Sequence, residues 1–490
     1  MLSIKTEFPT LIVQVMNMNV KPEFLSRMSF VSLWMMLFTA TSAIAENPDD
    51  SALPEPVPLT RDDMKRALDA SKQSVPRLPL PPLTDGEKTL IEEQKAAFAS
   101  TGEQPRRFGL GNNGRMRAWY LSEYGFSIDS DVDRARTSAP RDRGDSSLDS
   151  AFRTQLFWIV SRGNNCTYCL GHQESSLATG GMSDDLLAAL DGDWSEFSDA
   201  QRTAFAFARK LSFEPYSVTD ADLAPLKAHY SDRQLVEIVN AIAGFNATNR
   251  WTGPLKIKQD VLFMFERPTS SKYSAGISNV ISIGDASKKA GSVAPRRRPR
   301  PALESIDEVH TAMMAATKRT PRLVLLTEEE TKALLSESGS SGAVPQWERL
   351  LAVTGKSGTE RIKSYKSVLE KGTISPRTKA MIAYTAARHD RAWYALGHAV
   401  HRLMKEGLTH EQIVALDKPE AISDERDRET LLFARTVTVD PAQITDADFA
   451  RMRKLFPDKE VAEILYQTTQ AAYFNRLTEA ANLQLTMSGG

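Results

Sequence analysis

The chain of 490 residues holds two cysteines, three residues apart in Cys166-Thr-Tyr-Cys169-Leu-Gly-His172-Gln. A C-x-x-C pair followed by a histidine contains the parts of a thiol redox centre. In a helix, residues three apart share a face, so two sulfurs at this spacing can meet. A cysteine in a first helical turn feels exposed N–H groups and the positive end of the helix dipole, which favour its thiolate. Asn164 and Asn165 stand where a cap for that turn would be. His172 could exchange a proton with a sulfur or with a peroxide. Thiolate, second thiol and acid–base group are what peroxide reduction or dithiol exchange requires. Other uses of the pair compete with this one. A structural disulfide would close a very short loop and add little entropic stability. A zinc site would have three ligands at one locus and need a fourth from elsewhere. The haem-attachment pattern C-x-x-C-H fails because Leu170 follows Cys169. No metal and no cofactor is expected.

The elements that must position these residues read as helices. Apolar residues recur at three and four, as in Leu235, Ile238, Val239, Ile242 and Phe245. Capping boxes mark helix starts at Thr84/Glu87, Ser198/Gln201, Ser231/Gln234, Thr327/Glu330 and Thr409/Gln412. Alternating strand patterns are absent, so the expected class is all-α. Basic and acidic residues balance at 61 and 62, which leaves no global field for nucleic acid.

The chain also repeats itself. At a constant offset of 226, Leu170-Gly-His172 matches Leu396-Gly-His398, and Phe207-Ala-Arg209 matches Phe433-Ala-Arg435. Thr219-Asp-Ala-Asp222 falls on Thr445-Asp-Ala-Asp448, and Asn249-Arg250 on Asn475-Arg476. Pro76-Arg-Leu78 echoes Pro321-Arg-Leu323 at a changed offset, so leading helices are expected to repeat as well. The reading is two tandem helical domains, residues 84–266 and 305–490, joined by a flexible basic linker, 267–304. A Pro-rich arm, 46–83, precedes them and contains a short helical pattern from Thr60 to Ser71. In the second copy Ala392 and Ala395 replace the cysteines while Tyr394 and His398 persist. The dithiol is therefore dispensable for the fold, and the histidine has at least a shared structural role.

Other features read as structural. Gly109-Leu-Gly-Asn-Asn-Gly114 matches G-x-G-x-x-G without a preceding strand and is expected as a loop before a helix from Arg115 to Tyr124. His398 and His401 lack a third ligand. Arg296 to Arg300 reads as solvated linker, and the two Asn-Arg pairs as pins for helix ends. Residues 1–45 form a long leader in which a basic flank, the apolar run Met28 to Ala45 and Ala43-Ile44-Ala45 give the layout of a cleaved export signal. That implies a periplasmic or secreted protein, with an uncleaved membrane anchor as the alternative.

The C-x-x-C…His stretch, the all-α pattern and the Asn-Arg near each repeat's end resemble the alkylhydroperoxidase D-like / carboxymuconolactone decarboxylase superfamily. The resemblance covers both repeats, and the second copy is degenerate in the cysteines. It implies a peroxiredoxin-type activity with Cys169 attacking a hydroperoxide, Cys166 resolving and His172 relaying protons. Two departures stand out: the family's histidine lies four residues after the second cysteine, not three, and its upstream glutamate is missing. No carboxylate occurs between Asp149 and Glu174, which makes Glu174 the expected substitute. An exported enzyme would draw electrons from a thioredoxin-like partner or a small thiol. Repeat two would complete a pairing that relatives achieve by oligomerising, and a homo-oligomer of the two-repeat unit is a further expectation. Rival expectations are a dithiol–disulfide oxidoreductase and a non-enzymatic scaffold with a static disulfide; lactone decarboxylation, which needs no dithiol, fits less well.

Overall fold

In the computed structural model, residues 57, 61–102, 108–136, 146–260, 300–336 and 342–486 are described. Helices are the regular elements throughout them, so the protein is all-α. The first half runs α1 (Arg61–Ala70), α2 (Asp85–Thr101), α3 (Asn112–Tyr120), α4 (Ile128–Arg136) and α5 (Ser150–Gly163). It continues with α6 (Thr167–Thr179), α7 (Asp184–Ala189), α8 (Asp199–Phe213), α9 (Asp220–Lys227) and α10 (Asp232–Thr252). The second half runs α11 (Ile306–Ala316), α12 (Glu328–Leu335), α13 (Gln346–Ala352), α14 (Lys356–Glu370) and α15 (Pro376–Asp390). It closes with α16 (Trp393–Lys405), α17 (His410–Ala415), α18 (Glu425–Val439), α19 (Asp446–Leu455) and α20 (Asp458–Ala481).

All five expected capping boxes close, at the starts of α2, α8, α10, α12 and α17. Each satisfies donors that the first helical turn would otherwise leave unpaired. The helices from α5 to α10 begin 226 residues before those from α15 to α20, element for element. Matching side chains hold matching places. Trp158 Nε1 and Arg162 donate to Asp191 in the first half, as Tyr384 Oη and Arg388 donate to Asp417 in the second.

The halves pack through their longest helices, α10 against α20, with α5, α6 and α8 around one and α15, α16 and α18 around the other. Polar contacts across this junction are reciprocal. Arg250 donates to the carbonyl of Thr438 in the last turn of α18, and Arg476 to that of Ser212 in the last turn of α8. The arginine of each Asn-Arg pair thus pins a helix end in the opposite half, while the asparagine bonds within its own half. Arg77 Nε lies 2.6 Å from Asp446 Oδ1, and Arg322 Nε lies 2.6 Å from Asp220 Oδ1.

Some expectations need adjustment. The helix expected from Arg115 starts earlier, at Asn112, and stops at Tyr120, with a 3-10 turn over Ser122–Tyr124. Gly109, at φ +68°, does sit in the preceding loop, and the element before it is helix α2. Arg300 is not solvated linker: it donates to the His389 carbonyl and to Asp390 at the end of α15. The leader 1–45 and the linker over 261–299 lie outside the described residues, as does most of 46–60. Among the described residues, no helix is long and apolar enough to cross a membrane.

Candidate functional site

Helix α6 carries the dithiol, and its first turn is built from it. The cap is Cys166 itself, not either asparagine: its Sγ accepts the Cys169 N–H at 3.4 Å. Asn165 instead takes the left-handed conformation, φ +51°, that turns the chain from α5 into α6. Its side-chain oxygen accepts the Val57 N–H at 2.7 Å, and Arg162 donates to the Val57 carbonyl. The segment before α1 therefore holds the residue next to Cys166 in place. Asn164 is buried and donates to Asn246 and Asn249 of α10.

Both thiols are free and buried. Each sulfur lies 3.0 Å from the same oxygen, Thr252 Oγ1, in the last turn of α10. Burial opposes ionisation at Cys166, but hydrogen bonds from Cys169, Thr252 and Asn249 outweigh it and lower its pKa. At Cys169 burial, the bond to Cys166 and the charge of Cys166 all push the pKa well up. The two sulfurs thus titrate as a pair that shares a proton, with ionisation favoured at Cys166 and opposed at Cys169.

A carboxylate reaches this site from beyond α10. Asp260 Oδ2 lies 2.9 Å from His172 Nε2 and accepts the Tyr168 hydroxyl at 3.0 Å. Its Oδ1 accepts the Asn112 N–H at the start of α3, 2.8 Å away. The Tyr168 and His172 rings lie 4.5 Å apart. Cys169, Tyr168 and His172 face an open cavity of about 730 Å³, bounded on other sides by the 109–111 loop, α3, α4, α5 and α10. Cys166, fully buried, does not line it.

The structure brings together three of the four expected site residues, Cys166, Cys169 and His172. Glu174 is not with them. It points from the opposite side of α6 into a buried ion pair, its Oε1 2.6 Å from Arg61 of α1, and Asp184 binds Arg61 and Lys65 beside it. Glu174 is an anchor for α1 and no relay for the cysteines.

The second half repeats the geometry without the chemistry. The Tyr394 and His398 rings lie 4.6 Å apart at the same 48° as Tyr168 and His172. The position corresponding to Asp260 is Thr486, and burial lowers the His398 pKa to about 4. Phe474 fills the space beside His398. It stacks on Tyr365 at 4.8 Å and packs against Trp347.

Of the other residues of the site, Asn249 was read only as part of a structural Asn-Arg pair, and Thr252 and Asp260 went unread in the sequence. The first two carry a signal, since Asn249-Arg-Trp-Thr252 recurs as Asn475-Arg-Leu-Thr478. Asp260 has no such partner, and nothing local marks it.

No family model matches the chain, and no curated protein does. Among solved structures it is similar to an uncharacterized peroxidase-related protein from Silicibacter sp. TM1040, with 19% identity and a TM-score of 0.29. That match covers 41% of this chain and 95% of the other.

Proposed function

We propose that the protein is a thiol-dependent peroxidase of alkylhydroperoxidase-like type, with its one working site in the first of two copies of a helical unit. The observation that carries this reading is the division of labour between the sulfurs. Cys169 meets the cavity beside His172 and Asp260, while Cys166 sits behind it, more easily ionised and closed off.

The chemistry follows from that arrangement. The Cys169 proton passes to Cys166 or to His172, and the Cys169 thiolate attacks one oxygen of a hydroperoxide. The O–O bond breaks, an S–O bond forms, and the alkoxide leaves as alcohol on taking a proton from His172. Cys166 then attacks the Cys169 sulfenic acid; the S–S bond forms and hydroxide departs as water. Two electrons pass from the dithiol to the peroxide. Two equivalents of a small thiol, or a thioredoxin-like dithiol, restore the pair by exchange. On the same reading the leader directs export, so the donor belongs to an extracytoplasmic compartment.

A second reading keeps the pair and changes the substrate. The lowered pKa of Cys166 at a helix cap is what a dithiol–disulfide oxidoreductase uses for attack, so disulfide exchange is its rival. One experiment separates them. The reduced chain is mixed with a stoichiometric organic hydroperoxide, and peroxide loss and intact mass are followed. Peroxide loss with a two-hydrogen loss of mass is expected. No consumption sinks the peroxidase; oxidation by a small disulfide but not by peroxide favours the rival.

A further inference from the structure

Cys166 has to change its protonation during turnover, yet its sulfur is fully buried. Once it has served as base for Cys169 it carries a proton, and it must shed that proton when it attacks the Cys169 sulfur. Few groups at Cys166 can take it. The Cys169 N–H is a donor only, and the Asn249 amide is turned oxygen-first to Asn164 Nδ2, 3.1 Å away, so that toward the sulfur it too acts as a donor. The Cys169 sulfur is the atom attacked, and the line between the sulfurs is where the new bond forms. The remaining contact is Thr252 Oγ1, 3.0 Å away. A hydroxyl both donates and accepts, so Thr252 can give a hydrogen bond to a Cys166 thiolate and take one from a Cys166 thiol.

The other contacts of Thr252 fit that use. Its Oγ1 lies 3.0 Å from Cys169 Sγ as well, and it donates to the Thr248 carbonyl at 2.9 Å when neither sulfur draws its proton. Thr252 also borders a second cavity, of about 290 Å³, lined by Asn164 and Thr167 on one side and by Pro441 and Ala442 of the second half on the other. That space has room for several waters. Cys166 does not line it, so a proton leaving the sulfur reaches it through Thr252. The second half shows what this threonine does without sulfurs. Thr478 stands at the corresponding position, fully buried, and donates to the Phe474 carbonyl at 2.9 Å, while Ala392 and Ala395 occupy the cysteine positions. The bond back along the helix is common to both halves; the two sulfur contacts belong to the first.

We propose that Thr252 is a catalytic residue: its hydroxyl donates to the Cys166 thiolate in the resting dithiol, then accepts the proton of the Cys166 thiol as that sulfur closes onto Cys169, and hands its own proton to the second cavity. One S–S bond forms, and the group on Cys169 leaves with the electron pair of the bond that breaks. The Cys166 proton moves to Thr252 Oγ1 and the Thr252 proton to water, so the threonine ends as it began. After a peroxide the leaving group is hydroxide, which departs as water on the Cys169 side; after a disulfide it is a thiolate. This rests on the dithiol chemistry proposed above and adds one residue to it.

The test uses the full chain, pre-reduced, and dithiodipyridine, whose absorbing thiol is released twice: once when Cys169 attacks and once when Cys166 closes the disulfide. In Thr252→Val the second release should slow at least about tenfold relative to the first at pH 7, a modest share of what acid–base groups contribute. The rise of thiolate absorbance should move to higher pH, because a donor to the thiolate is gone. Thr252→Ser keeps the hydroxyl and should bring the second release back to within about threefold of the unmodified chain. Thr478→Val removes the shared helix bond and no sulfur contact, and should change neither readout. Thr252→Ala repeats the loss of the hydroxyl, so the outcome does not hang on the folding of one variant. A second release unslowed in either folded variant, an unmoved titration, a serine as slow as the valine, or the same effects from Thr478→Val overturns the proposal. The probe is not a peroxide, so a chain that ignores hydroperoxides yet shows these effects loses the peroxidase reading and keeps the role of Thr252.

Discussion

Cys166 and Cys169 are one helical turn apart, share the hydroxyl of Thr252, and differ in what lies on their other side. Behind Cys166 is protein; before Cys169 is the cavity. Because the charge of Cys166 is one cause of the raised pKa at Cys169, its removal has a definite sign. In Cys166→Ser the apparent pKa of Cys169 should fall. Thiolate absorbance against pH measures it; an unchanged or higher value would refute the shared-proton account. The same variant cannot resolve a sulfenic acid, so the oxidised state should persist on Cys169. Asp260 gives a second test at this scale. The Asp260 carboxylate, 2.9 Å from His172 Nε2, is the group placed to take up or return a proton at that nitrogen. Asp260→Asn should slow oxidation of the dithiol by peroxide about a hundredfold, the lower range for a lost acid–base group, and Asp260→Glu should restore part of it. An Asp260→Asn chain that reacts at the unmodified rate would show that the carboxylate only packs.

At the scale of elements, α5–α6 and α15–α16 solve one problem with different charges. In the second half Arg476 and Asp390, both fully buried, pair at 3.1 Å, and Asn475 donates to the same carboxylate. Burial raises the Asp390 pKa, but Arg476, Arg300 and Arg250 outweigh it and hold the carboxyl well below the usual range. In the first half the corresponding residue is Asn164, and Arg250 finds neutral oxygens on Asn164 and Asn246. The residue matching Asn246 is Ala472, so the second half cannot copy that solution. Asp390→Asn should therefore cost about 3–5 kcal/mol, the usual penalty for orphaning a buried charge, and adding Ala472→Asn should recover part of it. The sign with pH follows: a folded-state pKa below the unfolded value of about 3.9 gives stability that is full above that value and lost progressively as pH falls from it toward and through the folded-state value. Denaturant melts at pH 7 and pH 3 check both, and Asp390→Asn should lose that part of the dependence. Helix starts were legible in the sequence at this scale because a capping box is a local device, and all five close. The first turn of α6 was not, because its cap is a sulfur and its preceding asparagine is held by Val57 from far away in the chain. Glu174 was misread for the same reason. Its spacing from the cysteines was visible, but its partner, Arg61, lies on a separate helix that only tertiary packing brings near.

For the molecule as a whole, the repeat legible at an offset of 226 becomes a junction in which each half completes the other. Arg250 and Arg476 reach the last turns of α18 and α8, and Arg77 and Arg322 reach the first turns of α19 and α9. Tyr124, just after α3, donates to Glu463 of α20 at 2.6 Å, and Ser357 of α14 lines the cavity over Cys169. What the sequence could not reveal is this interlocking: an offset shows that two units are alike, but not that they share a core. Helix α10 is buried against α20, apolar surface that neither half could expose without cost; each square ångström returned to water costs about 25 cal/mol. The covalent connection over 261–299 then has little to hold together. If a protease site is inserted in that segment and cut, the two fragments should elute together from a sizing column at the mass of the whole chain. The dithiol should still react with hydroperoxide, and separation should require denaturant. The buried guanidinium contacts make the association more sensitive to loss of Arg250 or Arg476 than to salt, since burial shields such pairs from screening. Fragments that part under native conditions, or that associate only at low salt, would show that the halves are independent domains and that the second is not needed to build the site.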